Sequence, residues 1–306
     1  MDCTLKREGD RVWFGHYPQT LVGRHHARVL RRRALPLPTP ENAYDWTDLE
    51  YYVDGKPVPY AWYIDLECGG EMYRGIYFVE YRPYSTDHYN TSREKSDQFA
   101  NEWYYKRVYW FRMAPIEWRV LEESRGEMLL VATSVLDSQP FNNNSVNANL
   151  YGLSSIRSWL NDRFLNTAFS ADEQRLLRAR PVMVAGVKPE GYPDDWEKAC
   201  GNVEVRDLVY LPSREEMMCP RYAEGATEYR LGDSWRLAPT QYALAQGAWH
   251  MGVGIYGGQD NANVATWWLR DVAYRYAATT VHDGMFENFS YHYTGIGVLP
   301  VVCVRK

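Results

Sequence analysis

Helical periodicity in this chain is confined to a few short stretches, chiefly in its middle, and the rest is written as short strands closed by tight turns. Residues 61–67 and 73–78 read as two short strands on either side of Gly69-Gly70, a two-residue hairpin signal. Residues 277–281 followed by Asp283-Gly284 repeat it near the C-terminus. Further strands are expected at 11–18, stopped by Pro18; at 107–111 and 116–121, separated by Pro115; at 127–132; and at 298–304. Ser154 is placed to cap a helix whose Ile156, Trp159, Leu160 and Phe164 form one apolar stripe. Ser170 with Glu173, and Ser213 with Glu216, read as capping boxes, and Thr240 as the cap of a short helix ending at Gly247. The pattern predicts an α+β fold of small antiparallel sheets with two to four helices. Trp118 and Trp159, each in an apolar stripe, are expected in the core.

Composition narrows the function. With 306 residues, 45% of them hydrophobic, the chain can bury one large core, and no composition break marks a second domain. A net charge of −5 is a poor match to a nucleic-acid binder. Arg24, Arg28, Arg31 and Arg32 do share one face of an expected helix over 24–34, read here as a solvated face neutralised by acidic neighbours. No apolar run reaches the roughly 18 residues of a membrane span, and the polar first ten residues make the cytoplasm the expected compartment, with surface display left open. Five cysteines without a Cys-x-x-Cys spacing write neither a zinc ribbon nor a redox dithiol.

No catalytic signature is present: no Gly-x-Ser-x-Gly elbow, no His-Glu-x-x-His, no phosphate loop and no dinucleotide fingerprint. The histidines are scattered, and the Asn-rich stretches 142–144 and 259–261 read as turn chemistry, so neither metal nor cofactor is expected. The tail differs. Residues 267–293 hold eight aromatics, interleaved with Arg, His, Asn and Ser, and no Lys occurs from 199 to 305. Rigid amphipathic rings with adaptable polar neighbours are the composition of a contact surface. Alternation over 289–293 puts Phe289, Tyr291 and Tyr293 on one strand face and Ser290 and His292 on the other.

Segments spread along the chain carry a resemblance. They include Gly9-Asp10-Arg11-Val12-Trp13-Phe14-Gly15-His16-Tyr17-Pro18-Gln19-Thr20, Ala114-Pro115-Ile116-Glu117-Trp118-Arg119, Ser155-Ile156-Arg157-Ser158-Trp159-Leu160-Asn161, Pro239-Thr240-Gln241-Tyr242-Ala243-Leu244, Trp267-Trp268-Leu269-Arg270 and Gly297-Val298-Leu299-Pro300. Together they resemble a bacterial family of uncharacterised domains that includes the variable proteins of diversity-generating retroelements. The resemblance implies a single C-type-lectin-like domain of the formylglycine-generating-enzyme type over 1–306, with an N-terminal extension or insertion at about 21–110. It also implies a variable ligand-binding region at 271–294. Adenine-directed mutation of Asn-type codons cannot yield Trp, Met, Gln, Lys or Glu, and within 271–294 only Met285 and Glu287 fall in that set. Asp271-Val272-Ala273 stands where relatives carry a Ser-Pro-Gly-like turn.

The expected function is therefore binding without catalysis, to a protein or surface ligand. The candidate contacts are Asp271, Tyr274, Arg275, Tyr276, His282, Phe286, Phe289, Ser290, Tyr291, His292 and Tyr293. Two alternatives have residues of their own. An oxidoreductase like the formylglycine-generating enzyme would use a cysteine pair, for which Cys200 and Cys219 are the nearest match. A calcium-dependent carbohydrate-binding lectin would need oxygen ligands near 259–263.

Overall fold

The computed structural model describes residues 5–34, 36–39, 45–53, 56–83, 85, 96–143, 150–185, 202–222, 224–251, 263–274 and 277–306. Tight turns build it where the sequence places them. Strands β4 (Lys56–Cys68) and β5 (Glu71–Phe78) pair antiparallel around Gly69 and Gly70, whose φ values of +66° and +81° suit a turn matched to strand twist. Near the C-terminus, β15 (Ala277–His282) and β16 (Met285–Ser290) meet at Asp283 (φ +49°) and Gly284 (φ +78°) in the same way.

A nine-stranded sheet forms the larger layer, wider than the small sheets expected. Its path runs from β11 (Val209–Tyr210) through β18 (Val301–Arg305), β7 (Glu127–Ala132), β6 (Val108–Glu123), β5 and β4 to β3 (Thr47–Val53). Strand β2 (Arg11–Leu21) also pairs with β6, and β1 (Lys6–Glu8) pairs with β2. The second sheet has five strands in the order β16, β15, β14 (Trp267–Tyr274), β17 (Gly297–Val298) and β8 (Asp137–Ser138). Two small pairs complete the strands, β9 (Arg180–Ala185) with β10 (Asn202–Asp207) and β12 (His250–Met251) with β13 (Val264–Ala265).

Three prolines correct the expected strand ends. Pro18 does not stop β2, nor does Pro115 divide β6: each lies in the β2–β6 ladder beside a register slip. Such slips tolerate a residue without an N–H. Pro300 does divide the expected closing strand, sending β17 into the smaller sheet and β18 into the larger. A single apolar cluster then joins the two sheets, with Val302 of β18 and Trp267 and Trp268 of β14 among its members.

Helices are few and short. α3 (Ser155–Trp159) starts where the Ser154 hydroxyl accepts the Arg157 amide at 3.3 Å, and runs through a π-helical turn (Leu160–Phe164) into α4 (Leu165–Ala168). Both expected capping boxes form, at α5 (Ala171–Gln174) and α6 (Arg214–Met217), and Thr240 caps α7 (Gln241–Ala245). A short helix, α2 (Asp97–Ala100), precedes β6. Trp118 is fully buried, its indole N–H donating to the Phe14 carbonyl at 2.7 Å. Trp159 is only half-buried against the core, which corrects its expected place inside it.

The arginine-rich helix forms as α1 (Arg24–Arg33), seated by Leu30 on a small cluster with Trp46, Ile64, Tyr73 and Trp110. Its exposed Arg24, Arg28 and Arg32 have no ion pair among the described residues. No helix among the described residues is long and apolar enough to cross a membrane.

Candidate functional site

The aromatic tail is built on a rigid base. Trp267 and Trp268 of β14 are fully buried, and the Trp268 indole N–H donates to the Gln139 carbonyl at 2.8 Å. β15 is the next strand and is buried along most of its length, from Ala278 to Val281. β16 is the edge strand, and there the surface begins: Met285, Glu287 and Asn288 are exposed, and Phe286, Phe289 and Ser290 half-buried. The Phe286 amide donates to the Tyr229 carbonyl at 2.9 Å, and the Leu231 amide to that of Gly284 at 2.6 Å. Arg236 Nε donates to the Asp283 carboxylate at 2.8 Å. These bonds fix the hairpin tip against a neighbouring segment, so the turn holds its place as well as its shape.

Cross-strand register sorts the candidate residues into two faces. Ala278 pairs with Phe289 and His282 with Met285, so His282 and Phe289 share a face. Their rings lie 6.3 Å apart. Trp249, from outside the strand pair, stacks on His282 at 5.1 Å and 19°, and meets Phe289 edge-on at 5.7 Å. Tyr293 extends the row, 6.0 Å from Phe289. His282 Nδ1 and Thr266 Oγ1 are hydrogen-bonded at 2.6 Å, which fixes the imidazole orientation beneath Trp249. Phe286 and Ser290 fall on the other face. There the Arg214 guanidinium lies 4.3 Å above the Phe286 ring, a cation–π contact.

The remaining candidates scatter. Asp271 accepts the Arg214 amide at 2.7 Å, where it serves the first turn of α6; burial raises its carboxyl above the usual range against the pull of that amide and of Arg270. The strand expected over 289–293 ends at Ser290, because the Tyr293 amide turns back to the Ser290 carbonyl at 3.1 Å. Tyr291 is thereby carried into the core, at 4% exposure, and is not part of an open face. His292 packs edge-on against Tyr291 and lies 3.3 Å from the Ser290 hydroxyl. Tyr274 contributes backbone to the end of β14, and Arg275 and Tyr276 lie outside the described residues.

Sequence reading missed Trp249 and Arg214. Both come from segments far from the tail, and nothing in the spacing of 271–294 points to either. The Trp-Leu-Arg segment has a structural explanation. Arg270 Nη1 donates to the Leu211 carbonyl at 2.9 Å and pairs with Glu216, whose carboxylate also accepts the Ser213 amide at 2.9 Å. Arg270 is thus a clamp on the capping box of α6.

The residues of the alternative readings are in part outside the described set. Cys200 and residues 259–262 lie there, while the Cys219 thiol is half-buried and donates to the Leu121 carbonyl at 3.4 Å. Among the described residues, no three His, Cys, Asp or Glu side chains converge as a metal site would require.

Comparison with known proteins gives one match. The model of a family described as Domain of unknown function (DUF6273) covers residues 125–306. No curated protein and no solved structure matches the chain. The matched span starts at the β6–β7 turn and contains the whole second sheet, including the hairpin and its aromatic row. It covers more than half of the chain, which therefore belongs to the DUF6273 family.

Proposed function

We propose that this chain is a non-catalytic ligand-binding protein on a C-type-lectin-like scaffold, diversified within 271–294 as a retroelement variable protein. The observation that carries the reading is the aromatic row Trp249, His282, Phe289 and Tyr293, half-buried on a hairpin whose supporting strands are core. Rings held this way offer contact area at small entropy cost. Substitutions on the outer strand leave Trp267, Trp268 and Val281 in place, which a surface open to variation requires.

The test lies in the neighbouring DNA. The reading expects a reverse transcriptase gene and a near-copy of the codons for 271–294 that differs only at adenines. Met285 and Glu287 are products that adenine mutation of Asn-type codons cannot give, so their codons should be identical in the two copies. They are also exposed, so this invariance is not explained by packing. Absence of a near-copy, or differences spread over all four bases, overturns the retroelement reading. Ligand selection against the folded protein then tests the binding reading separately.

A further inference from the structure

A cavity of about 310 Å³ opens away from the hairpin, where the N-terminal strands meet α3 and the π-helical turn. Its floor is polar and buried: Tyr17 from β2, Tyr60 from β4, Arg74 from β5, Asp137 from β8 and Tyr242 from α7. Glu50, Asn143, Ser158, Trp159 and Arg163 stand at its rim, half-buried or exposed. The volume is at the small end of ligand pockets, which span roughly 300–1,000 Å³.

The floor is organised in advance. The Tyr17 hydroxyl donates to Asp137 at 2.5 Å and the Ser138 amide donates to the same carboxylate at 2.6 Å. The Tyr60 hydroxyl donates to the Gln246 side-chain oxygen at 2.5 Å. Arg74 holds Asp65 through two bonds of 2.8 and 2.7 Å. Arg82, at 2% exposure, donates to the carbonyls of Ser138 and Gln246 at 2.7 and 3.0 Å, yet its Nε has no partner among the described residues. Burial pushes the Tyr60 hydroxyl up to about 12 and raises those of Tyr17 and Tyr242 as well, so all three stay protonated at neutral pH.

Stability does not account for this arrangement. Buried polar and ionic groups hold a fold no better than apolar side chains of similar volume, and an unpaired buried N–H costs more. The adjoining helix is irregular at the same place. The Leu165 amide reaches back to the Leu160 carbonyl in a π-helical turn that carries Arg163 to the rim. Such turns are rare and are frequently found at functional sites.

The chemistry of the lining selects the guest. Three guanidiniums (Arg74, Arg82, Arg163) meet four carboxylates, three in the lining (Glu50, Asp137, Asp162) and Asp65 on Arg74, so no surplus positive charge is left for an anion. The polar floor is unsuited to a hydrocarbon. Donors and acceptors are mixed, as a hydroxyl that both donates and accepts requires. Trp159 and Tyr52, both half-buried, add aromatic surface to the lining, against which the C–H groups of a sugar can pack. We propose that this cavity binds a neutral sugar of one or two rings, at a site separate from the hairpin.

The experiment is calorimetric titration and thermal shift of the full chain, in EDTA, with neutral mono- and disaccharides, and with glutamate, arginine and inorganic phosphate as charged probes. Saturable binding of at least one neutral sugar at millimolar concentration or tighter is expected, with no response to the charged probes. Ser158→Trp, an exposed position that fills the mouth, should lower affinity at least tenfold without lowering the melting temperature, and Asn143→Ala should weaken it. Phe289→Ala on the hairpin should leave it unchanged. Response to charged probes alone, or to none of the panel, overturns the proposal. So does sugar binding that ignores Ser158→Trp and Asn143→Ala.

Discussion

The cavity floor and the β15–β16 hairpin both gather aromatic and polar side chains, and they hold them in opposite ways. In the floor the polar groups are committed to one another, Tyr17 to Asp137, Tyr60 to Gln246 and Arg82 to two carbonyls, with Arg82 Nε the exception among the described residues. These groups are contributed by strands and loops remote in sequence, and all are buried. On the hairpin the rings of His282, Phe289 and Tyr293 touch one another from one local segment, and Phe289 at their centre lies on the edge strand. Removing a floor residue strands its partner. Removing a hairpin ring leaves neighbours that water reaches. The first region is specific through mutual constraint, whereas the second can change residue by residue.

The largest stability effect should come from the layer beneath both regions. Trp118→Ala empties a fully buried site and leaves the Phe14 carbonyl unpaired, and should cost about 3–5 kcal/mol. Trp159→Ala, at the cavity wall, should cost about 1–2 kcal/mol, as a half-buried truncation does. Chemical denaturation of the two variants checks the order. Equal losses would mean that the cavity wall is as much core as the sheet.

Next comes the floor itself. Asp137→Ala leaves the Tyr17 hydroxyl and the Ser138 amide without their acceptor at 2% exposure, with an expected cost of about 2–3 kcal/mol. The double variant with Tyr17→Phe should recover part of that loss, because the stranded hydroxyl is gone. If the two substitutions simply add, the committed pair is not what holds the floor.

How much of each region the sequence shows follows from the range of the interactions. The Gly69-Gly70 and Asp283-Gly284 turns and the caps at Ser154, Ser170, Ser213 and Thr240 are local, and all were legible. Pro18 and Pro115 misled because the slips that accommodate them belong to a pairing between distant strands. The Tyr291 turn was hidden for a related reason: alternation continues in the sequence after the strand has ended. His282 and Phe289 could be picked from composition, but their partner Trp249 could not. The cavity was invisible altogether, since its lining runs from Tyr17 to Gln246 and no motif spans it.

The two regions adjoin at α2, which supplies a pH test. Gln98 of this helix accepts the Arg82 amide at 2.7 Å and donates to the Ala245 carbonyl at 2.8 Å, while the Asp97 carboxylate lies against Gly295 beyond the hairpin. Burial pushes the Asp97 carboxyl up from 3.8 to about 6, against the opposing pull of Arg82. The folded state therefore holds this proton more tightly than the unfolded state. The stabilisation is full below about pH 4 and is lost as pH rises through 6. Asp97→Asn should flatten that limb and stabilise the protein at pH 7 by on the order of 1 kcal/mol. Thermal melts of both proteins between pH 4 and 7 decide it. Parallel curves would show that Asp97 is solvated in both states.

The smallest effects are expected on the outer edge of the hairpin, and their smallness is what the functional reading needs. Met285, at 47% exposure beside its bridge to Arg230, and the exposed Glu287 and Asn288 project from β16, the edge strand of its sheet. Alanine at each should change stability by less than about 0.5 kcal/mol, as at other exposed positions without a special contact. Phe286 and Phe289 carry ring and cation contacts, and their alanine variants should cost about 1 kcal/mol each. Binding should rank the positions differently. Where a selected ligand uses the aromatic row, Phe289→Ala or His282→Ala should remove about 2 kcal/mol of affinity while the fold persists. Melting temperature and ligand capture are read from the same samples. If Glu287→Ala or Asn288→Ala unfolds the protein, the edge strand is a structural element that variation could not visit, and the contrast with the cavity floor collapses.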